Sequence, residues 1–97
     1  MVVGISIFEL HLPACRSLKA KRKVVKGLVD RVHSRLRVSI AETDFHDLHQ
    51  RSEITVAIVG QTETEMDRML EEVRSLADAC EPDAIVTSWE PQILEGR

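Results

Sequence analysis

Six basic residues, Arg16, Lys19, Lys21, Arg22, Lys23 and Lys26, fall within eleven positions of the stretch RSLKAKRKVVKGL, and no acid follows until Asp30. Lysine and arginine at this density can neutralise phosphates and displace their counterions, giving a sequence-independent affinity that weakens with salt. Ser17 opens the stretch with a residue type that caps helices by accepting a free first-turn amide. With Arg16 and Lys19 beside it, that helix start could also hold an anion. The residues expected to meet phosphate are Arg16, Ser17, Lys19, Arg22, Lys23 and Lys26, joined by Arg37 at the far end of the same helix.

The remaining reactive groups offer less. His46 and His49, with Asp44 and Asp47 nearby, are residue types that can bind zinc. They fall in a polar connection without an HExxH signature, so no metal site is expected. Glu9, His11 and Glu42 could act as acid and base groups on one sheet face; the plainer reading makes them rim charges of an interface. Cys15 and Cys80 match no metal or redox spacing and read as reduced, small hydrophobes. None of these groups implies a cofactor or a small-molecule substrate, and the chain is expected not to be an enzyme.

These groups need elements to position them. Residues 2–12 alternate Gly4, Ser6, Phe8, Leu10 and Leu12 against Val3, Ile5, Ile7, Glu9 and His11, the period of a strand, ended by Pro13. From Leu18 to Arg37 the spacing predicts a helix, with Leu18, Val25, Leu28, Val29, Val32 and Leu36 on one apolar stripe. Lys19, Lys23, Lys26 and Arg37 form a ridge beside it, with Arg22 and His33 at the margin. Strands are expected at 38–44 and 52–59, joined as a hairpin. Thr62 and Glu65 make a capping box for a second helix, whose core stripe runs from Met66 to Cys80. The segment 81–83 ends that helix, and 84–90 reads as a last strand.

The order is β-α-β-β-α-β in 97 residues, enough for one domain of 1–97. Right-handed crossovers place both helices on one face of a four-stranded antiparallel sheet, a ferredoxin-like α+β sandwich. Its other face is open, and Val3, Ile5 and Ile7 point onto it, so a homodimer through the sheet is expected. With 3% aromatic residues and no Tyr, the sheet cannot stack bases as sequence-reading RNA domains do. The loop PACRS holds one cysteine, too few for a copper chaperone. Arg16 could serve an acylphosphatase-like loop, but there is no asparagine to position its water.

Charge is divided along the chain. Residues 1–40 hold nine basic and two acidic residues, a balance of +7, and residues 41–97 hold four and 14, a balance of -10. Such asymmetry suggests an electrostatic partner, or only two oppositely charged helices side by side. No run of 18 apolar residues marks a membrane span, and the amino terminus alternates instead of forming a signal core. A cytoplasmic protein without a membrane partner is expected.

The runs GISIFELHLP, RSLKAKRKVVKGLVDR, VSIAE and DLHQRSEITVAIV, in this order, resemble the YlxP-like family of small bacterial proteins. The resemblance is strong over residues 1–60 and by pattern only beyond. It implies a ferredoxin-like fold and, since members commonly sit among genes for transcription, translation initiation and ribosome maturation, an RNA- or ribosome-linked role without an established enzymatic activity. The motif residues are Arg16, Ser17, Leu18, Lys19, Lys21, Arg22, Glu42, Asp47, Gln50 and Arg51; the last four suggest a surface site. His49 stands where many members have Trp. The leading expectation is a non-enzymatic RNA- or ribosome-associated module using the basic helix. The alternative is a homodimeric protein-interaction module working through the open sheet without nucleic acid.

Overall fold

In the computed structural model, which describes residues 1–96, the elements are β1 (Val2–His11), α1 (Leu18–Arg35), β2 (Ser39–Asp44), β3 (Arg51–Gly60), α2 (Glu63–Asp78) and β4 (Ile85–Glu95). The four strands form one antiparallel sheet in the order β2-β3-β1-β4. Both helices pack on one face of it, so the chain has the expected ferredoxin-like βαββαβ sandwich.

Alternation in β1 decides which side is covered. Val2, Gly4, Ser6, Phe8 and Leu10 are buried, while Ile7 and His11 are exposed. On β3 the buried set is Ser52, Ile54, Val56 and Ile58. These meet Val25, Leu28 and Val32 of α1 and Met66, Leu70, Val73 and Ala77 of α2. Each large side chain so buried contributes about 1.5–3 kcal/mol of transfer free energy. α2 packs tightly over Gly4: an alanine Cβ there would run into Met66, with its Cγ only 2.6 Å away. Phe8 and Trp89 extend the core toward β4, their ring centroids 5.2 Å apart.

Both helices start as their sequences dictate. The Ser17 hydroxyl accepts the Ala20 amide at 3.1 Å, and the Thr62 hydroxyl accepts the Glu65 amide at 3.1 Å. α1 ends at Arg35, two residues before the expected limit, because Leu36 is already extended, with φ -134 and ψ 144. β4 runs on to Glu95 instead of stopping at residue 90. Pro91 does not end it because β4 lies at the sheet edge, where an amide facing outward has no ladder partner to lose. The opposite edge is β2, only six residues long and irregular between Glu42 and Asp44. No helix among the described residues is long and apolar enough to cross a membrane.

Candidate nucleic-acid interface

Lys19, Arg22, Lys23 and Lys26 recur at i, i+3, i+4 and i+7, which places them on one face of α1. All four are exposed, and with Ser17 and Ala20 they border a shallow concavity of about 560 Å³. Lys26 pairs with Asp30 at 2.7 Å. Lys19, Arg22 and Lys23 have no carboxylate partner among the described residues. The first turn of α1 contains no acid. A helix amino terminus carries a partial positive charge of its own, so cations gathered there repel it and one another. An anion in this place would relieve both. Exposed Arg16 precedes the Ser17 cap and continues the basic surface.

Arg37 does not belong to this ridge. Because the chain leaves the helix at Leu36, Arg37 lies in the link to β2, beside Val38, Ser39, Ala57 and Val59. It borders the open sheet face. The neighbouring helix is electrostatically opposite: Glu63, Asp67 and Glu71 of α2 are exposed, and one long ion pair, Arg35 to Glu72 at 3.9 Å, links the two helices.

Lys21, the remaining cation of the basic stretch, is fully buried. Its Nζ lies 2.9 Å from Glu42 Oε2 and donates to the carbonyl oxygens of Phe45 at 2.8 Å, Arg51 at 3.3 Å and His46 at 3.4 Å. Glu42 also accepts from the Ser52 hydroxyl. A buried charge survives only when paired and hydrogen-bonded, and this one ties α1 to both ends of the β2–β3 connection. Phe45, held by Lys21 through its carbonyl, has φ 62, a left-handed conformation that is strained for a bulky residue.

The sequence carried a signal for this clasp. Lys21 precedes Val25, Leu28 and Val32 at four, seven and eleven positions, so it sits on the apolar stripe. Glu42 follows Ile40 on the same side of β2. Two opposite charges at core-facing positions imply a pair.

The clasp corrects two expectations. Glu42 is not on the open face with Glu9 and His11, nor is it part of a surface site with Asp47, Gln50 and Arg51. It points into the helix layer. Gln50 donates from Nε2 to the carbonyls of Pro13 and Cys15, both at 3.3 Å, fastening the turn before α1 to the same connection. Arg51 lies on the open face, donates to Glu9 at 3.0 Å and covers the Phe45 ring at 3.9 Å. Asp47 is exposed in the connection. Lys21, Glu42, Gln50 and the Arg51 carbonyl thus act together as a fastening.

His46 Nε2 is 3.2 Å from the Glu42 carbonyl oxygen, while His49 and His11 line a separate shallow concavity. Among the described residues, no three His, Cys, Asp or Glu side chains are grouped to hold a metal ion. On the flank of α1 opposite this connection, a groove of about 540 Å³ runs between Ala20, Lys23, Val24, Gly27 and Arg31 on one side and 79–83 on the other. Cys15 and Cys80 are both free, buried and part of its lining. Burial, reinforced by the Asp83 carboxylate, pushes the Cys15 thiol above its ordinary value, against a smaller opposing effect of Lys21. A thiol held protonated is a poor nucleophile.

The open sheet face is divided. Val3, Ile5 and Ile7 lie on it, opposite Val59, Ala57 and Thr55 of β3 and Leu94, Gln92 and Glu90 of β4. Toward the other end come Glu9, His11, Arg51 and Glu53. The apolar half includes Ile7, Val59 and Leu94 at 39%, 73% and 55% exposure.

Comparison with known proteins adds a family and a fold. The model of a family described as protein of unknown function, DUF503, matches residues 3–90. Uncharacterized protein YlxP of Bacillus subtilis is 30% identical over 78 residues, spanning 80% of this chain and 85% of that protein. Among solved structures, the designed ferredoxin-fold protein LFR1 1 superposes with a TM-score of 0.59 at 11% identity, covering 99% of this chain and 87% of its own. SnoaB of Streptomyces nogalater, a cofactor-independent oxygenase, does so with a TM-score of 0.59 at 8% identity, covering 100% and 95%. At such identities these likenesses show the fold alone.

Proposed function

The chain belongs to the DUF503 family of proteins of unknown function, and from its own residues we propose that it is a non-enzymatic, cytoplasmic RNA-binding module that holds a phosphate backbone along α1. The observation that carries this reading is the exposed set Lys19, Arg22, Lys23 and Lys26 along the first half of a helix whose first turn has no acid. Arg16 and Ser17 extend the contact to the helix start. Binding is electrostatic and reads no bases on the sheet, whose open face lacks an aromatic platform. A ribosome-associated role is the form of this reading that the family resemblance suggests.

Filter binding to a structured RNA across a salt series tests it. With about four phosphates neutralised on single-stranded segments, the slope of log K against log salt is about -3, a loss of about 50-fold between 50 and 200 mM salt. Replacing Lys19, Arg22, Lys23 and Lys26 by alanine should flatten that slope. Absence of binding at low salt, or an unchanged slope in the variant, would overturn the proposal.

A second reading rests on a different observation. Val3, Ile5, Ile7, Ala57, Val59 and Leu94 form a continuous apolar area on the uncovered sheet face, of the kind that marks an interaction surface. A second copy of this chain packed face to face would cover it, with Arg37 and the polar half as the rim. The two readings are compatible.

A further inference from the structure

The groove between α1 and the segment 79–83 shares Ala20 and Lys23 with the exposed basic face, so the two surfaces are continuous across the flank of the helix. Gly27 forms part of the α1 wall, and nothing in the fold requires a glycine there. Its φ is not positive, and an added Cβ would meet only Arg31 Nη1, at an ordinary 3.8 Å. A glycine inside a helix is unfavourable relative to alanine. Its effect here is to leave space in the groove. The rims differ in charge: Lys23 stands on the helix side, Glu81 and Asp83 on the other, while Arg31 reaches across the groove beside Gly27 and donates to Cys80 Sγ at 2.8 Å.

We infer that this groove takes one nucleotide of the RNA strand held by α1, with the base against Gly27 and guanine preferred. The inference rests on the RNA-binding reading above and deepens it. Lys23, which borders both surfaces, supplies the phosphate contact on the side where the strand already lies. Ionised carboxylates only accept hydrogen bonds, so Glu81 and Asp83 select for a base edge that donates. Guanine presents two adjacent donors, N1–H and the exocyclic amine, on its Watson–Crick edge. Adenine and cytosine present one donor beside an acceptor, and uracil one donor between two acceptors, which carboxylates repel. A volume of about 540 Å³ lies within the range of small-ligand sites.

The test is a nuclear magnetic resonance titration of the ¹⁵N-labelled full chain with guanosine, adenosine, cytidine and uridine 5′-monophosphates. Guanosine monophosphate should shift the amides of Gly27, Ala79 and Cys80, and uridine monophosphate should leave them in place. Gly27→Ala should raise Tm by about 4 °C while weakening the nucleotide. Gly27→Leu, which fills the groove, should weaken it at least tenfold, and Asp83→Asn with Glu81→Gln should erase the guanine preference. Equal responses to all four nucleotides, or guanosine shifts that persist in Gly27→Leu, would overturn the inference. Salt-dependent RNA binding that survives in Gly27→Leu at full strength would refute the groove and leave the α1 reading intact. Guanosine shifts without any RNA binding would refute the strand reading.

Discussion

Replacing Lys21 by methionine keeps an unbranched side chain one atom shorter and removes its charge. The change leaves Glu42, whose side chain is 17% exposed, with the Ser52 hydroxyl as its remaining side-chain partner. It also withdraws a donor from the carbonyls of Phe45 and Arg51. Breaking a buried pair by removing one partner costs about 3–5 kcal/mol. Partial exposure of Glu42 lets water reach it, and the Phe45 carbonyl keeps the Leu48 amide at 3.0 Å, so the lower end of about 3 kcal/mol applies. A domain of this size has about 5–15 kcal/mol in all. At about 4–8 °C per kcal/mol, Tm should fall by about 12–24 °C. Urea and thermal unfolding followed by circular dichroism measure it. Adding Glu42→Leu should recover part of the loss, because two apolar groups leave no stranded charge. A single-mutant loss below about 1 kcal/mol, or strictly additive losses, would refute the clasp.

Three further outcomes follow from other positions. Ser6 is buried and its hydroxyl has no hydrogen-bond partner among the described residues, so Ser6→Ala should raise stability by about 1 kcal/mol in the same unfolding assay. Cys15 should react slowly with iodoacetamide in the native protein and fast in urea. Its raised folded value keeps its stabilising share present below the unfolded value, about 9, and loses it as pH climbs through the folded one, so above that pH the wild type should lose more stability than Cys15→Ala. Ile7→Asp places a charge in the apolar half of the open face; light scattering should show a wild-type dimer that this variant dissociates, and a wild-type monomer at high concentration would contradict the face-to-face reading.

The frame was legible because burial follows simple periods. The alternation of β1 and the stripe of α1 assign their own faces, and Ser17 and Thr62 mark where helices begin. The ends were harder to place, since they depend on neighbours. Pro91 would end a central strand and is tolerated in β4 because of its place in the sheet. At the basic stretch, charge type outweighed position: Lys21 reads as one more solvated cation, although its spacing from Val25 and Leu28 puts it inward. Glu42, Asp47, Gln50 and Arg51 lie close in sequence, yet strand parity and the turn at Phe45 send their side chains to different surfaces. The groove beside Gly27 could not be read at all, since it forms between segments far apart in the chain, Arg31 meeting Cys80 across 49 positions.

The two borders of the sheet limit how the molecule can multiply. β2 is short and irregular, and β4 offers an incoming strand a proline without an amide hydrogen. Growth by adding strand to strand, which has no natural stopping point, is therefore obstructed at both ends. Contact through the uncovered face behaves differently, because each copy spends its one such surface on the other. Any association along that route closes at two.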